Sequence, residues 1–530
     1  MLRLQASGAH MNAATPPIAA DAFGAAQDRG WLDTRLAFAM LCLAAIAPLL
    51  VVDFPPLVDL YGHLGRYAVQ TDLHNRPGLQ QYFSYEWTLI GNLGADLLVQ
   101  LLHRWLGLET AVRCIVIVTQ LLAATGVLLV SRELHGRITP FAIAALPLIY
   151  GLAFNYGFLN FSLSMALAML AFVVWLRLHR RGNKLVPRVW LGLAGMAIWV
   201  CHAYGWAFLG LLCGSALLAD AITGRQRPLA ALGAILAECW PLLLPLVPMT
   251  LWRSGTGGLS LMGWSLSFKL QGLASVFRHK WVILDTASLF VAISLIYWAI
   301  RSKSAAFDLR LGIAALVCLA SFMVLPVQVF GSMYADIRLA PYILMTALLA
   351  VSPRKLGAQM GRVLGLIALA FFAARMVTTG AAYLAHEKTV SEVLPTIDAI
   401  PQGSRVAFFV VVPCTEAWDL PVLSHVAGVA LARRDVFANN HWQAAGVNPL
   451  IVHYPAAAPF ERDPSQYVYA GECAQPVYPT LSKVLEQFPH PGFSHLWILG
   501  PLPDELVVPQ GLEPVRHAGK GALYAVNSPQ

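Results

Sequence analysis

The stretch RLHRRGNKLVPR, from Arg177 to Arg188, decides how this chain is read. Arg177, Arg180, Arg181, Lys184 and Arg188 make it strongly basic, and it holds no acidic residue. It separates two apolar runs, near 160–176 and 189–203. The far ends of those runs, around Asn155 and His202, carry no Lys or Arg. Positive charge at one end of each apolar run and not at the other marks a chain that crosses a bilayer and retains its basic loops in the cytoplasm.

The same alternation extends in both directions. Apolar runs lie near 36–52, 111–131, 138–154, 160–176, 189–203, 204–222, 229–251, 283–300, 311–330, 337–352 and 363–383. Most approach the roughly 20 residues that a spanning helix needs. The connectors Arg132–Arg137, Arg177–Arg188, Gly224–Arg227, Arg301–Arg310 and Arg354–Arg362 read as inner. The outer connector from Trp252 to Lys280 breaks the pattern with Arg253, Lys269, Arg278 and Lys280, but long loops are weak topology signals. The expectation is a polytopic α-helical membrane protein of about eleven transmembrane helices, with its N-terminus inside and its C-terminus outside. Composition agrees: 58% of residues are hydrophobic and 12% charged, against roughly 25% charged in soluble domains. The net charge of +8 sits at helix ends, so it calls for membrane lipid and not for nucleic acid. The first apolar run leads into no small-residue cleavage site and reads as a retained helix.

Residues 1–35 read as a cytoplasmic tail, 36–385 as the membrane domain and 386–530 as an extracytoplasmic α/β domain. The first outer loop, 53–110, holds two amphipathic stretches. One carries Leu60, Leu64, Tyr67 and Ala68; the other carries Leu93, Leu97, Leu101, Leu102 and Trp105. Asp96, Gln100, His103 and Arg104 interrupt the second, which suits a helix lying on the membrane surface. In the tail, charge and Pro rise and long apolar runs stop. Arg405–Val412, Ser494–Leu499 and Leu523–Val526 read as strands; Val390–Ile400 and Thr480–Phe488 read as helices. Six cysteines lie in apolar runs as small hydrophobes. Cys414 and Cys473 lie in the outer domain, where they either pair as a disulfide or stay as thiols.

The polar groups that ask for a reason gather in the outer segments. Asp53 and Asp59 follow the first run, and either could be a general base toward a hydroxyl; the plainer reading of Asp59 is an acidic helix start. His63 lies four residues after Asp59, on the same helical face, with Arg66 next. Asn155 and Asn160, in NYGFLNFS, either bind a sugar or phosphate or cap helices. His202 stands alone in an apolar stretch, where an ionisable group defaults to function. Asp336 and Arg338, in YADIRLAP, either pair with each other or leave Arg338 to grip a phosphate. Arg278, His279 and Lys280 form a basic cluster suited to a phosphate head group or to anionic lipid. No GxxxxGK[ST], HExxH, GxSxG or CxxC occurs, and the loop Gly255–Gly258 follows no strand, so a nucleotide site finds no support.

With its large first outer loop, the VDLYGHLGRY stretch from Val58 to Tyr67 and its outer C-terminal domain, the chain resembles the GT-C superfamily of membrane glycosyltransferases. The resemblance implies transfer of a sugar from a polyprenyl-phosphate carrier to an acceptor hydroxyl on a glycan, lipid or protein, with inversion, at the periplasmic face of a bacterial inner membrane. It casts Asp59 as the base, His63 as its neighbour and Asp53 as the second candidate, since Leu60 takes the place of the second acid of an adjacent pair. Arg338, Asp336, His202, Lys280, Arg278, Asn155, Asn160 and Arg66 become candidates for binding the substrate or the lipid phosphate. Some members need a divalent cation such as Mg or Mn; the scattered carboxylates here imply no tightly held metal and no other cofactor. The competing readings are a ligase or polymerase of pyrophosphate-linked glycans, a lipid-linked-glycan transporter or flippase, and an inactive scaffold.

Overall fold

The structure, a computed structural model, describes residues 31–254, 261–329, 332–352, 357–443, 447–502 and 509–527. The tail up to residue 30, the loop Gly255–Gly258 and Arg354 lie outside them, as does the side chain of Arg253. Each of the eleven apolar runs falls on apolar helix. Five helices are long and apolar enough to cross a membrane: Leu108–His135, Leu159–His179, Ala203–Thr223, Val282–Arg301 and Gln359–Asp398. Six are shorter: Arg35–Leu50, Pro140–Asn155, Leu185–Cys201, Pro228–Leu243, Leu309–Val324 and Ile337–Ala350. Proline accounts for two of the shorter ones. Pro147 lies in a 3₁₀ turn that breaks Pro140–Asn155, and Pro241 in a second that ends Pro228–Cys239, because a prolyl nitrogen has no proton to give the preceding turn.

These helices turn apolar side chains outward. Leu193, Leu229, Phe290, Leu316, Val324 and Val377 are all more than 65% exposed, an arrangement that water penalises and a bilayer does not. The basic connectors meet at one end. Glu133 binds Arg177 and Arg180, both at 2.6 Å, and Asp220 binds Arg310 at 3.1 Å. Two charges within apolar runs are also paired: Glu238 with Arg188 at 3.0 Å and Arg375 with Asp285 at 2.8 Å. The second amphipathic stretch forms the helix Gly94–Leu106. It buries Ala95, Asp96 and Val99 and exposes Leu97, Leu101 and Trp105, three residues at helical spacing that present an apolar edge.

The tail folds around a six-stranded mixed sheet. Its strands are β1 (Arg405–Val412), β2 (Phe437–Ala438), β3 (Tyr467–Tyr469), β4 (His495–Leu499), β5 (Leu512–Ala518) and β6 (Gly521–Val526), in the order β5-β6-β4-β1-β2, with β3 also pairing β1. Central β1 and β4 run parallel and are buried almost throughout, as their continuous apolar sequences require. The tail does not stand apart from the first outer loop. Phe83–Tyr85 pairs antiparallel with Leu450–Val452, Arg76 binds Asp435 at 2.6 Å, and the tail helix Ala427–Arg434 packs on the loop helix Leu60–Asp72.

Candidate active site

Residues of the outer helix ends, the first loop and the sheet domain together wall a cavity of about 1380 Å³. That exceeds the roughly 300–1,000 Å³ of common ligand pockets. One part of the wall is apolar, with Phe208, Leu211, Val317 and Leu325; the other carries Asp59, His63, His202, Arg338, His425 and Asp463. A shallower groove of about 410 Å³ along the helix Leu309–Val324 shares Val317, Ser321 and Val324 with the cavity and continues it outward.

Asp59 is set by two elements. Pro55 and Pro56 keep the chain out of helix after the first span, and Asp59 then becomes the N-cap of Leu60–Asp72, with no side-chain cap bond. The NYGFLNFS hairpin docks against its backbone: Val58 N–H donates to the Asn155 carbonyl at 3.2 Å and Asp59 N–H to that of Tyr156 at 2.9 Å. Gly157, at φ +93°, makes this approach possible, since a β-carbon there would lie 3.1 Å from the Asp59 nitrogen. The carboxylate accepts no hydrogen bond among the described residues. Burial, and then the charge of Asp463, raise it well above the usual carboxylate range, with Arg338 pulling partly the other way.

Arg338 is placed from below. Asp336, two residues earlier, is buried against Lys269 at 2.8 Å, and the same ammonium donates to the carbonyls of Phe322 and Leu325. Asp336 therefore pairs with Lys269, not with Arg338, and lies outside the cavity wall. The Arg338 guanidinium stands 4.0 Å over the Phe158 ring and donates to Ser332 Oγ at 2.9 Å and the Met333 carbonyl at 2.8 Å. No carboxylate pairs with it among the described residues. His202 lies between two helices, its Nδ1 accepting the Tyr204 N–H at 3.1 Å, and borders the cavity. His63 follows Asp59 by one turn, with its ring 5.2 Å from that of Trp442. Burial, then Arg66 and two further imidazoles, push its pKa well down, so it is neutral.

The other candidates have different fates. Asp53 is exposed, outside the cavity, its N–H donating to Glu387 at 2.6 Å. Asn155 is buried beneath the hairpin, donating to the Tyr150 carbonyl and accepting from Tyr383, each at 2.9 Å. Asn160 borders the cavity, but its amide donates to Asn92 and Asp96 and its oxygen accepts the Ala95 N–H, at the start of Gly94–Leu106. Arg66 is in the wall, bound to buried Asp96. Arg278, also in the wall, is taken by Glu416 and by the carbonyls of Ala417 and Trp418; Lys280, not itself in the wall, binds Asp419, which is, at 2.8 Å. A charge near a membrane boundary is costly unpaired, and each of these cations meets a carboxylate on another element. Sequence spacing does not reveal such partners.

The sheet domain adds residues that the sequence reading missed: His425, Trp442, Asp463 and Tyr467. The signal was present in LSHVAG and FANNHW, where polar side chains sit inside buried segments; Asn439, Asn440 and His441 are all at most 1% exposed. Cys414 and Cys473 form a disulfide, with Cα atoms 5.5 Å apart, and Cys414 borders the cavity. Among the described residues no three His, Cys, Asp or Glu side chains group as a metal site.

The sequence matches no family model and no curated protein. Solved structures do resemble it. ArnT from Cupriavidus metallidurans in the apo state superposes with a TM-score of 0.50 at 14% identity, covering 93% of this chain and 99% of that one. The chain shares the overall fold of that protein. ArnT from the same organism bound to undecaprenyl phosphate gives a TM-score of 0.47 at 13% identity, with the same coverage. At these identities the likeness speaks for the fold alone.

Proposed function

We propose that the protein is an inverting membrane glycosyltransferase that moves a sugar from a polyprenyl-phosphate carrier to an acceptor hydroxyl at the outer face of the membrane. One observation carries the reading: Asp59, a carboxylate without a hydrogen-bond partner among the described residues, and Arg338, without a carboxylate partner among them, border the same cavity, which continues into an apolar groove. A polyprenyl chain fits the groove and its phosphate fits Arg338. The acceptor hydroxyl gives its proton to Asp59 as its oxygen attacks the anomeric carbon. The carbon–oxygen bond to the phosphate breaks, and the charge arriving on the phosphate is met by Arg338. The raised proton affinity of Asp59 makes it a stronger base once deprotonated than an ordinary carboxylate.

A pyrophosphate-linked donor would call for several cations, whereas Arg66, Arg278 and Lys280 are already paired. The test is transfer from radiolabelled polyprenyl-phosphate sugars in proteoliposomes. Asp59→Asn is expected to lower kcat by about 10²- to 10⁴-fold, the usual contribution of a base, while donor binding persists. Transfer at the wild-type rate in Asp59→Asn would overturn the assignment; movement of the intact donor across the bilayer without transfer would favour a flippase.

A further inference from the structure

The sheet domain does more than cover the cavity. His425 is 2% exposed, and its Nε2 lies 3.8 Å from Asp59 Oδ1. The far side of the ring is fixed: Nδ1 is 3.1 Å from the Asn440 carbonyl oxygen, and the Asn440 amide returns a bond to the His425 carbonyl at 3.2 Å. A carbonyl only accepts, so Nδ1 carries the proton and Nε2 presents a lone pair. That lone pair faces Asp59 and the Tyr467 hydroxyl, 3.4 Å away. Trp442 packs on the ring at 4.3 Å. With Nδ1 protonated, the Tyr467 hydroxyl donates to Nε2, on the side of the ring that faces Asp59.

Resting on the glycosyltransferase reading, we infer that His425 is a positioning residue for the base: it takes over the proton that Asp59 removes from the acceptor. The acceptor O–H bond breaks and its proton passes to Asp59. The acceptor oxygen bonds to the anomeric carbon, and the electron pair of the broken carbon–oxygen bond leaves on the phosphate. Once Oδ1 closes from 3.8 Å to hydrogen-bond reach of Nε2, the proton moves from Asp59 to His425, giving an imidazolium still bonded to Asn440. Asp463, close enough to act on both groups, steadies that cation. Release of the proton to water through the cavity restores the pair. Burial raises the proton affinity of Asp59 and lowers that of His425, while Asp463 raises both. His63 and His441, the other imidazoles near the ring, are held neutral in the same way, His441 down to about 3.

The experiment uses the full-length protein in proteoliposomes with a polyprenyl-phosphate sugar. His425→Gln keeps a polar group near Nε2 that cannot bind a proton; kcat is expected to fall by about 10- to 100-fold, less than for loss of the base itself, with little change in donor KM. In His425→Ala, added imidazoles should restore rate in proportion to their basicity. Rescue indifferent to basicity overturns the relay. If wild type transfers, Asp59→Asn does not, and His425→Gln matches wild type, this inference alone fails. If wild type transfers nothing from any such donor, the underlying reading fails first.

Discussion

Gly428→Ala tests whether the docked tail helix sets the geometry of the site. Gly428 lies in Ala427–Arg434 where it crosses Leu60–Asp72. A β-carbon there would stand 2.0 Å from the Tyr61 carbonyl oxygen, 2.7 Å from its carbon and 3.0 Å from the Gly62 Cα. Ordinary contact begins at 3.4 Å, and all three atoms are backbone, so no side chain can swing away. The helices must part by about 1 Å or more, and overpacking of this kind costs about 1–3 kcal/mol. His425 moves with the helix, because Gly428 N–H donates to its carbonyl at 2.9 Å. Asp59 stays with the other helix. A displacement of about 1 Å near a reacting pair costs on the order of 10²-fold in rate. Gly428→Ala is therefore expected to lower both the melting temperature in detergent and kcat. Gly471→Ala, in the same domain with no atom within 4 Å of the added carbon, is the matched control and should alter neither. Wild-type stability and kcat in Gly428→Ala would refute the packing of the two helices.

Three further outcomes follow. Lys269→Met leaves Asp336 as an uncompensated buried carboxylate and should cost about 3–5 kcal/mol; adding Asp336→Leu should recover much of it, and additive effects in thermal unfolding would deny the pair. The base acts only when deprotonated, so activity should disappear as pH falls through the raised Asp59 pKa, above the usual carboxylate value of about 4. Asp463→Asn removes a like charge and should move that acid limb of the pH–rate profile to lower pH, whereas Arg338→Gln should move it up; an unmoved limb in both would separate Asp59 from the titration. Cys414→Ser with Cys473→Ser opens a link across 59 residues and should destabilise the outer domain by up to about 4 kcal/mol on the chain-entropy account, seen as faster proteolysis after β1.

The apolar helices were legible because long apolar runs make one strong pattern, and each run falls on helix. Asp59, His63, His202 and Arg338 were legible because polar groups are rare in such surroundings. Pairing was not. Arg278, Lys280 and Arg66 looked like phosphate ligands, yet Glu416, Asp419 and Asp96 neutralise them, and the first two of those acids lie about 140 residues further along the chain. Asp336 was weighed against its neighbour Arg338 but binds Lys269, 67 residues earlier. His425 and Asp463 reach the cavity only because the tail folds back onto the first loop, a long-range pairing that no local period encodes.

The most direct test is to see where the carrier binds. Full-length protein reconstituted with a polyprenyl phosphate and imaged by cryo-electron microscopy should show the phosphate within hydrogen-bond reach of the Arg338 guanidinium, with the chain along Val317 and Val324. A phosphate bound on another face of the protein, with the chamber between Asp59 and Arg338 empty, would contradict the account.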